Sequence, residues 1–256
     1  MTTPHDAVMV DGPAGPLGVF AAGPSEGDDG LPSLLLLHGI QGTAGAWEAV
    51  MQALPPAGPV LAPDLRGRRR SACPHDPQAY AMERFADDLA AVIRWHGRPV
   101  IIAGWSMGVL VALTYIRDYG LEGVSGLALI GGTACPGGEC PWFHGSDVAA
   151  ISREAEARAQ AMGLREYAAP VAVAGAWLSA RRADLRPMLG SVAVPALILH
   201  GERDEQCPLT HARVLAEGIR GAELEVLPGL GHGLPSEAPA HLARRLHALR
   251  ECCSSG

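Results

Sequence analysis

Lysine is absent from this chain, and all 20 of its basic side chains are arginine. A Walker-A phosphate loop, a lysine Schiff base, pyridoxal chemistry and the Ser-x-x-Lys nucleophile all require a lysine amine. The sequence therefore excludes those kinds of active site. The formal net charge is −7 and the arginines form no basic stripe, so we do not expect nucleic acid as a partner.

Long apolar runs are also absent. No uninterrupted apolar run is longer than the five residues 109–113, whereas a membrane-spanning helix needs about 18. The first residues do not form a charged and then apolar leader, which is the pattern of a secretory signal. We therefore expect a cytoplasmic protein that has no membrane partner.

Cysteine is scarce, with six residues in 256 positions, which is too few for a disulfide scaffold. We expect buried or idle thiols, although Cys135 and Cys140 could bridge across the Pro-Gly-Gly-Glu segment between them. No cysteine pair has the spacing of a zinc site, and no histidine pair forms His-Glu-x-x-His. The sequence therefore predicts neither a metal site nor a cofactor.

Short apolar runs bounded by Gly and Pro alternate along the chain with segments of helical periodicity. This alternation is typical of strands that feed crossover helices onto a mostly parallel sheet, so the predicted fold class is α/β. The clearest predicted strands are 34–37, 60–62, 100–103, 127–130, 196–199 and 224–227, with weaker signals for an edge hairpin near 8–10 and 17–20.

The alternation stops between residues 133 and 191. A loop rich in Pro and Gly is followed there by helical patterns near 148–162 and 166–183. We interpret 133–191 as a helical lid insertion in a single catalytic core made of residues 1–132 and 192–256.

Residues 104–108 read Gly-Trp-Ser-Met-Gly, which matches the G-x-S-x-G nucleophile elbow. The motif follows the predicted strand 100–103 and precedes a helical pattern that starts at Val109, as an elbow requires. Flanking glycines remove Cβ atoms that would clash in so tight a turn. A second match at 23–27 precedes no helix, so we predict that Ser106 is the nucleophile.

The helix after the elbow points its first amides toward any oxyanion that forms, and Met107 N–H is the first candidate donor. A serine hydroxyl also needs a base, and the base needs an acid that holds its tautomer. Asp204 follows the predicted strand 196–199, and His232 follows the predicted strand 224–227. We predict that Asp204 is the acid and that His232 is the base.

Five motifs occur in order: His-Gly-Ile-Gln-Gly at 38–42, Asp-Leu-Arg-Gly at 64–67, the elbow at 104–108, Gly-Glu-Arg-Asp at 201–204 and Gly-His at 231–232. Together they resemble the α/β-hydrolase superfamily, in its lid-bearing, esterase-like group with a serine nucleophile. The resemblance covers most of the chain and implies an eight-stranded, mostly parallel sheet with helices on both faces. It also implies that the amide of Ile40 is the second donor of the oxyanion hole.

The chain departs from the superfamily pattern at two places. Residues 67–71 read Gly-Arg-Arg-Arg-Ser where Gly-His-Gly-x-Ser is common, and Val109 replaces a common glycine. The arginine run could contact an anionic substrate or a carrier protein, or it could lie in a solvated loop. Asp64 also follows a strand, but we expect it to cap a turn. We expect a structural role for His38.

Five residues are candidates for the substrate pocket: Gln41, Trp105, and the aromatic residues Trp142, Phe143 and Trp177 of the insertion. Packing of the insertion on the sheet explains the aromatic residues equally well.

We predict an enzyme, a serine hydrolase that cleaves a small, largely apolar carboxylic ester through an acyl-enzyme intermediate. Its partner would be a small-molecule ester or thioester, and a carrier protein could present that substrate. A thioesterase, a carbon-carbon bond hydrolase or a lyase with the same triad fits the sequence as well. A non-catalytic receptor on this fold is the alternative outside enzymes.

Overall fold

The computed structural model describes residues 7–23 and 30–254. Within these ranges the chain forms eight strands. They are β1 (Val8–Gly12), β2 (Gly15–Ala22), β3 (Ser33–Leu37), β4 (Val60–Pro63), β5 (Val100–Trp105), β6 (Val124–Ile130), β7 (Ala196–Gly201) and β8 (Glu223–Leu227).

The eight strands form one sheet in the order β1-β2-β4-β3-β5-β6-β7-β8. The β1–β2 and β2–β4 pairs are antiparallel, and the other pairs are parallel. The predicted α/β class with a mostly parallel, eight-stranded sheet is therefore confirmed. β6 begins three residues before the predicted strand, because Ser125 and Gly126 interrupt the apolar run that marks its core.

Helices cover both faces of the sheet. The eight α-helices of the described residues are α1 (Glu48–Ala53), α2 (Met82–His96), α3 (Met107–Tyr119), α4 (Val148–Ala161), α5 (Pro170–Ala180), α6 (Leu209–Gly218), α7 (Leu234–Glu237) and α8 (Pro239–Ser254).

The central strand β3 shows how the sheet separates two apolar cores. Leu35 and Leu37 pack into the core that contains α2 and α3, and Leu34 and Leu36 pack into the core that contains α1 and α8. Successive side chains of a strand point to opposite faces, so a strand buried on both faces is apolar throughout. The unbroken Leu run 34–37 therefore places β3 between two layers of helices.

The segment between β6 and β7 carries α4 and α5, which pack against each other. The predicted helices 148–162 and 166–183 match these two elements, although α5 begins only at Pro170. Proline is favoured in the first turn of a helix, where its missing N–H would be unpaired in any case.

Cys135 and Cys140 are both free thiols. Cys140 lies instead beside His211, with 3.1 Å between its Sγ and the ring Nε2. Hydrogen bonds from Cys207 and His211 lower the pKa of Cys140 to about 6. In the described ranges, no helix has both the length and the apolar composition that crossing a bilayer would require.

Candidate active site

The turn between β5 and α3 holds Ser106 in a strained conformation. Its φ is 56°, a value that residues with a Cβ rarely adopt. A Cβ on Gly104 would lie 2.4 Å from the carbonyl oxygen of Gly108, and a Cβ on Gly108 would lie 2.5 Å from that of Leu37. The two glycines therefore permit a turn so tight that Ser106 stands at the carboxyl end of the strand.

The three residues predicted as a triad meet at hydrogen-bond distance. Ser106 Oγ lies 2.9 Å from His232 Nε2, and His232 Nδ1 lies 2.8 Å from Asp204 Oδ2. Because a carboxylate only accepts hydrogen bonds, Nδ1 carries the proton and Nε2 is free to accept one from the serine hydroxyl. This is the arrangement that a serine nucleophile, a base and an acid that orients the base would require.

These side chains come together because β5, β7 and β8 are parallel. Ser106 directly follows β5, Asp204 lies three residues after β7, and His232 lies five residues after β8. The carboxyl ends of parallel strands meet at one edge of a sheet. Residues that are up to 126 positions apart in the chain therefore share one site.

Backbone amides hold the second oxygen of the Asp204 carboxylate. Oδ1 accepts hydrogen bonds from the N–H groups of Gln206 at 2.9 Å and Cys207 at 2.8 Å. The ring of His200 donates from Nε2 to the carbonyl of Cys207, 2.7 Å away, and burial lowers the pKa of His200. A neutral histidine therefore fixes the loop that carries Asp204.

Trp105, predicted as a pocket residue, also contacts His232. Its indole Nε1 donates to the backbone carbonyl of His232 at 2.9 Å, and the two ring centroids are 5.6 Å apart. Glu237 accepts the amides of Gly231 and Gly233 on either side of the histidine. The loop after β8 is therefore held at both the imidazole and the backbone.

The candidate oxyanion donors lie on two loops that meet at Ser106. Met107 N–H begins α3 and has no intrahelical partner. Gly39, which precedes Ile40, is so close to the elbow that a Cβ on it would lie 3.3 Å from Ser106 Cβ. The amides of Ile40 and Met107 donate to no acceptor within the described residues, so both are available to a ligand.

Hydrogen bonds to Gly39 fix the direction of the Ile40 amide. The carbonyl of Gly39 accepts from His38 Nδ1 at 2.8 Å and from Gly42 N–H at 3.1 Å. In a planar trans peptide the following N–H points opposite to that carbonyl. The Ile40 N–H is therefore aimed away from His38 and Gly42.

His38 has the structural role expected of it. Its Nε2 accepts the N–H of Leu65 at 3.2 Å while Nδ1 donates to Gly39. Burial and the nearby charge of Arg68 lower the pKa of His38 to about 3. The imidazole is therefore neutral at physiological pH and can serve both partners. Asp64 also has the expected capping role, because Oδ1 accepts the N–H of Ala44 at 2.8 Å.

The arginine run is not simply a solvated loop. Arg68 is 1% exposed, and its Nη2 and Nη1 donate to the carbonyls of Ile40 at 2.6 Å and Arg66 at 2.7 Å. Arg69 forms an ion pair with Glu166 at 3.1 Å. Only Arg70 lies exposed without such contacts among the described residues.

A cavity of about 800 Å³ opens at the triad. Its wall includes Ser106 and His232 together with Ile40, Gln41 and Trp105. A larger cavity of about 1080 Å³ lies between α2, α3 and α5 and contains no residue of the triad. The smaller cavity is therefore the candidate substrate pocket.

The structure places Trp142, Phe143 and Trp177 away from this wall. The ring of Trp177 packs against those of Trp142 at 5.3 Å and Phe143 at 6.4 Å, and all three residues are at most 5% exposed. Their packing agrees with the alternative explanation, in which residues 133–191 pack on the sheet, because all three belong to the apolar core that also contains α2 and α3. The cavity instead contains Arg158 and Gln206, which the sequence did not single out.

Within the described ranges, no cluster of His, Cys, Asp and Glu side chains is arranged to hold a metal ion.

Comparisons with known proteins agree with this architecture. The profile of the alpha/beta hydrolase family matches residues 34–245. The AB hydrolase superfamily protein YisY of Bacillus subtilis (strain 168) is 27% identical over 228 residues, which are 78% of this chain and 84% of that protein. The pimeloyl-[acyl-carrier protein] methyl ester esterase of Nitrosomonas europaea is 26% identical over 232 residues, covering 78% of this chain and 88% of that esterase.

Among solved structures, an esterase from Exiguobacterium antarcticum superposes with a TM-score of 0.82 at 22% identity. The match covers 96% of this chain and 99% of that esterase, so the two share a fold from end to end. Because the family profile spans most of the chain, the protein belongs to the alpha/beta hydrolase family and is an enzyme of that family.

Proposed function

We propose that this enzyme hydrolyses a small, largely apolar carboxylic ester through an acyl-enzyme intermediate on Ser106. The observation that carries the proposal is the relay from Ser106 Oγ through His232 to Asp204, with distances of 2.9 and 2.8 Å. A serine hydroxyl is a weak nucleophile until a base accepts its proton, and this relay supplies that base.

In the first half of the reaction, Ser106 attacks the ester carbonyl while His232 Nε2 accepts the hydroxyl proton. Asp204 stabilises the imidazolium that results. The amides of Ile40 and Met107 stabilise the negative oxygen of the tetrahedral intermediate, and one such donor contributes about 3 kcal/mol. His232 then returns the proton to the leaving alcohol.

In the second half, water attacks the acyl-enzyme while His232 accepts its proton, and His232 then returns that proton to Ser106 Oγ as the acid product leaves. The same two amides stabilise the second tetrahedral intermediate. Ile40 and Trp105 give the cavity apolar walls beside the nucleophile, which suits a largely apolar acyl group.

We propose further that residues 133–191 act as a lid. Helix α4 borders the cavity through Arg158, and Gln41 Nε2 donates to the α4 carbonyl of Ala155 at 2.8 Å. A Gln41→Leu variant, which lacks this bond, is expected to raise KM. An unchanged KM would oppose the lid role.

A substrate attached to a carrier protein is a second candidate. The Nitrosomonas relative is named for an ester of pimeloyl-[acyl-carrier protein], and the same triad would serve esters and thioesters. A panel of free esters, carrier-linked esters, thioesters and β-diketones would separate these substrates and would also test carbon-carbon bond hydrolysis.

The proposal is tested with Ser106→Ala and a matched control, Ser236→Ala. Ser236 lines the same cavity, but among the described residues its hydroxyl donates only to the carbonyl of Gly233. We expect S106A to lose turnover of p-nitrophenyl esters and labelling by a fluorophosphonate, whereas S236A keeps both. Full activity in folded S106A would refute the nucleophile.

A further inference from the structure

Arg158 brings a half-buried guanidinium to the cavity of the triad. Nη1 donates to the carbonyl of Trp142 at 3.1 Å, and Nη2 donates to Gln206 Oε1 at 2.7 Å. The guanidinium carbon lies 5.5 Å from the centre of the Phe143 ring. These contacts hold the side chain in place through neutral partners only.

A buried positive charge ordinarily has an anionic partner, because burial removes the water that would solvate it. Burial lowers the pKa of Arg158. Within residues 7–23 and 30–254, no carboxylate lies within the 4.0 Å that defines an ion pair with this arginine. Glu154, one turn earlier on α4, uses both oxygens on the amides of His144 and Gly145.

The glutamates that line the cavity do not form an ion pair with Arg158. Its three glutamates are already bound: Glu237 to the amides of the His232 loop, Glu166 to Arg69, and Glu48 to Gln52. Arg165, the second arginine of the wall, forms no ion pair with any described residue. Neither Arg158 nor Arg165 therefore forms an ion pair with a carboxylate of the described residues, although the charge of Glu154 acts on Arg158 from one turn away.

We infer that the substrate carries a carboxylate remote from the scissile ester and that Arg158 binds it, an inference that rests on the proposed ester hydrolysis. The planar guanidinium suits a carboxylate, which it can bind through two parallel hydrogen bonds. The apolar chain of such a substrate would lie between Arg158 and Ser106. Arg158 would then determine specificity, while the triad alone performs the chemistry.

The test compares esters that differ only in charge. For a carboxylate in the acyl half, the substrates are the monomethyl and dimethyl esters of glutaric, adipic and suberic acids. For a carboxylate in the alcohol half, they are the acetate ester of hydroxyhexanoic acid and its neutral methyl ester. Proton release gives kcat and KM for the wild type, R158M, R158K and the matched control R153M, which changes an exposed arginine of the same helix.

We expect the wild type to prefer the anionic member of at least one set by about tenfold or more in KM, since a hydrogen bond between a guanidinium and a carboxylate is stronger than one between neutral groups. R158M should lose that preference and keep its activity on the neutral ester. R158K should keep part of the preference, and R153M should keep all of it.

Two results would overturn the inference. One is a wild type that shows no charge preference in either set. The other is an R158M variant that loses activity on charged and neutral esters equally, because Arg158 would then serve only to brace Trp142 and Gln206.

Calorimetry of adipate binding to S106A, with and without R158M, separates this inference from the hydrolysis proposal. Binding that depends on Arg158 supports the anion site even if no ester is cleaved. Ester cleavage without charge preference would support the hydrolysis proposal and would contradict the inferred anion site.

Discussion

Arg68 Nη2 donates a hydrogen bond to the carbonyl oxygen of Ile40 across 2.6 Å. The guanidinium is buried, lies 5.2 Å from the centre of the Phe85 ring, and has a pKa that burial lowers to about 10. It therefore remains charged at neutral pH. Arg68 holds the carbonyl of Ile40 while His38 holds the carbonyl of Gly39, so both peptide planes beside the candidate oxyanion amide are fixed.

Arg68→Met should lower kcat by about ten- to a hundredfold with little change in KM, because an oxyanion donor acts mainly in the transition state. Arg68→Lys should be intermediate, since an ammonium can keep one of the two carbonyl contacts. Arg70→Met, at an exposed arginine of the same run, is the control. Steady-state kinetics of the folded variants measures kcat and KM. An unchanged kcat in R68M would show that the Ile40 amide does not depend on the hydrogen bond from Arg68.

Asp204→Asn should lower kcat by about 10³ to 10⁴, because an amide donor opposite Nδ1 favours the wrong tautomer of His232. Glu202→Gln is the matched control, since that carboxylate lies on the same loop and, within the part of the chain that the structure describes, accepts only the amide of Gly229. The rival acid is tested with Asp64→Asn. Loss of activity in D64N together with normal activity in D204N would assign the acid to Asp64.

The stability of the protein should fall in acid partly because of His38. Its pKa is about 3 in the folded protein against 6.5 in an unfolded chain. Below pH 6.5 the unfolded chain binds a proton that the folded chain excludes, so stability present above that pH is lost progressively toward pH 3.

The comparison of wild type with His38→Asn isolates this contribution. Between about pH 7.5 and about pH 5, the unfolding free energy of the wild type should fall by about 2 kcal/mol more than that of H38N. Urea titrations at the two pH values measure the difference, with His75→Asn as an exposed control. Equal losses in wild type and H38N would mean that His38 is protonated in the folded state.

The strands, their mostly parallel arrangement and the meeting of Ser106, Asp204 and His232 could be anticipated, because each depends on local signals. Apolar runs mark buried strands, and a carboxylate or an imidazole just after a strand reaches the carboxyl edge of a parallel sheet. The glycines at 104 and 108 also carry a local signal, since the turn excludes a Cβ at both positions.

Other features depended on tertiary contacts that no local pattern encodes. Arg68 looked like part of a solvated run, yet the carbonyls of Ile40 and Arg66 provide the acceptors that allow its burial. Trp142 and Trp177 fit a pocket wall and a core equally well by composition, and only the fold decides between them. The sequence did not identify Arg158 as a cavity residue, because an amphipathic helix commonly has arginines on its polar face.

Gly108→Ala should destabilise the protein by about 3 kcal/mol, because the new Cβ would overlap the backbone carbonyl of Leu37, which cannot move aside easily. Gly138→Ala is the control, since no atom lies within 4 Å of a Cβ at that position, and it should change stability by less than about 0.5 kcal/mol. Thermal unfolding measures both variants. Equal stability of the two would show that the elbow can relax to admit a methyl group.

The bond from Gln41 Nε2 to the carbonyl of Ala155 joins helix α4 to the residue directly after Ile40. A displacement of α4 that widens the mouth of the cavity would therefore stretch or break this hydrogen bond. Its donor, Gln41, is the neighbour of Ile40, whose amide we propose to stabilise the oxyanion. If residues 133–191 act as the proposed lid, admission of substrate and readiness for chemistry would be opposed states of one coupled unit. A substrate whose binding lets the hydrogen bond between Gln41 and Ala155 form again would restore the position of the Ile40 amide. The same movement of α4 would close the cavity to bulk water.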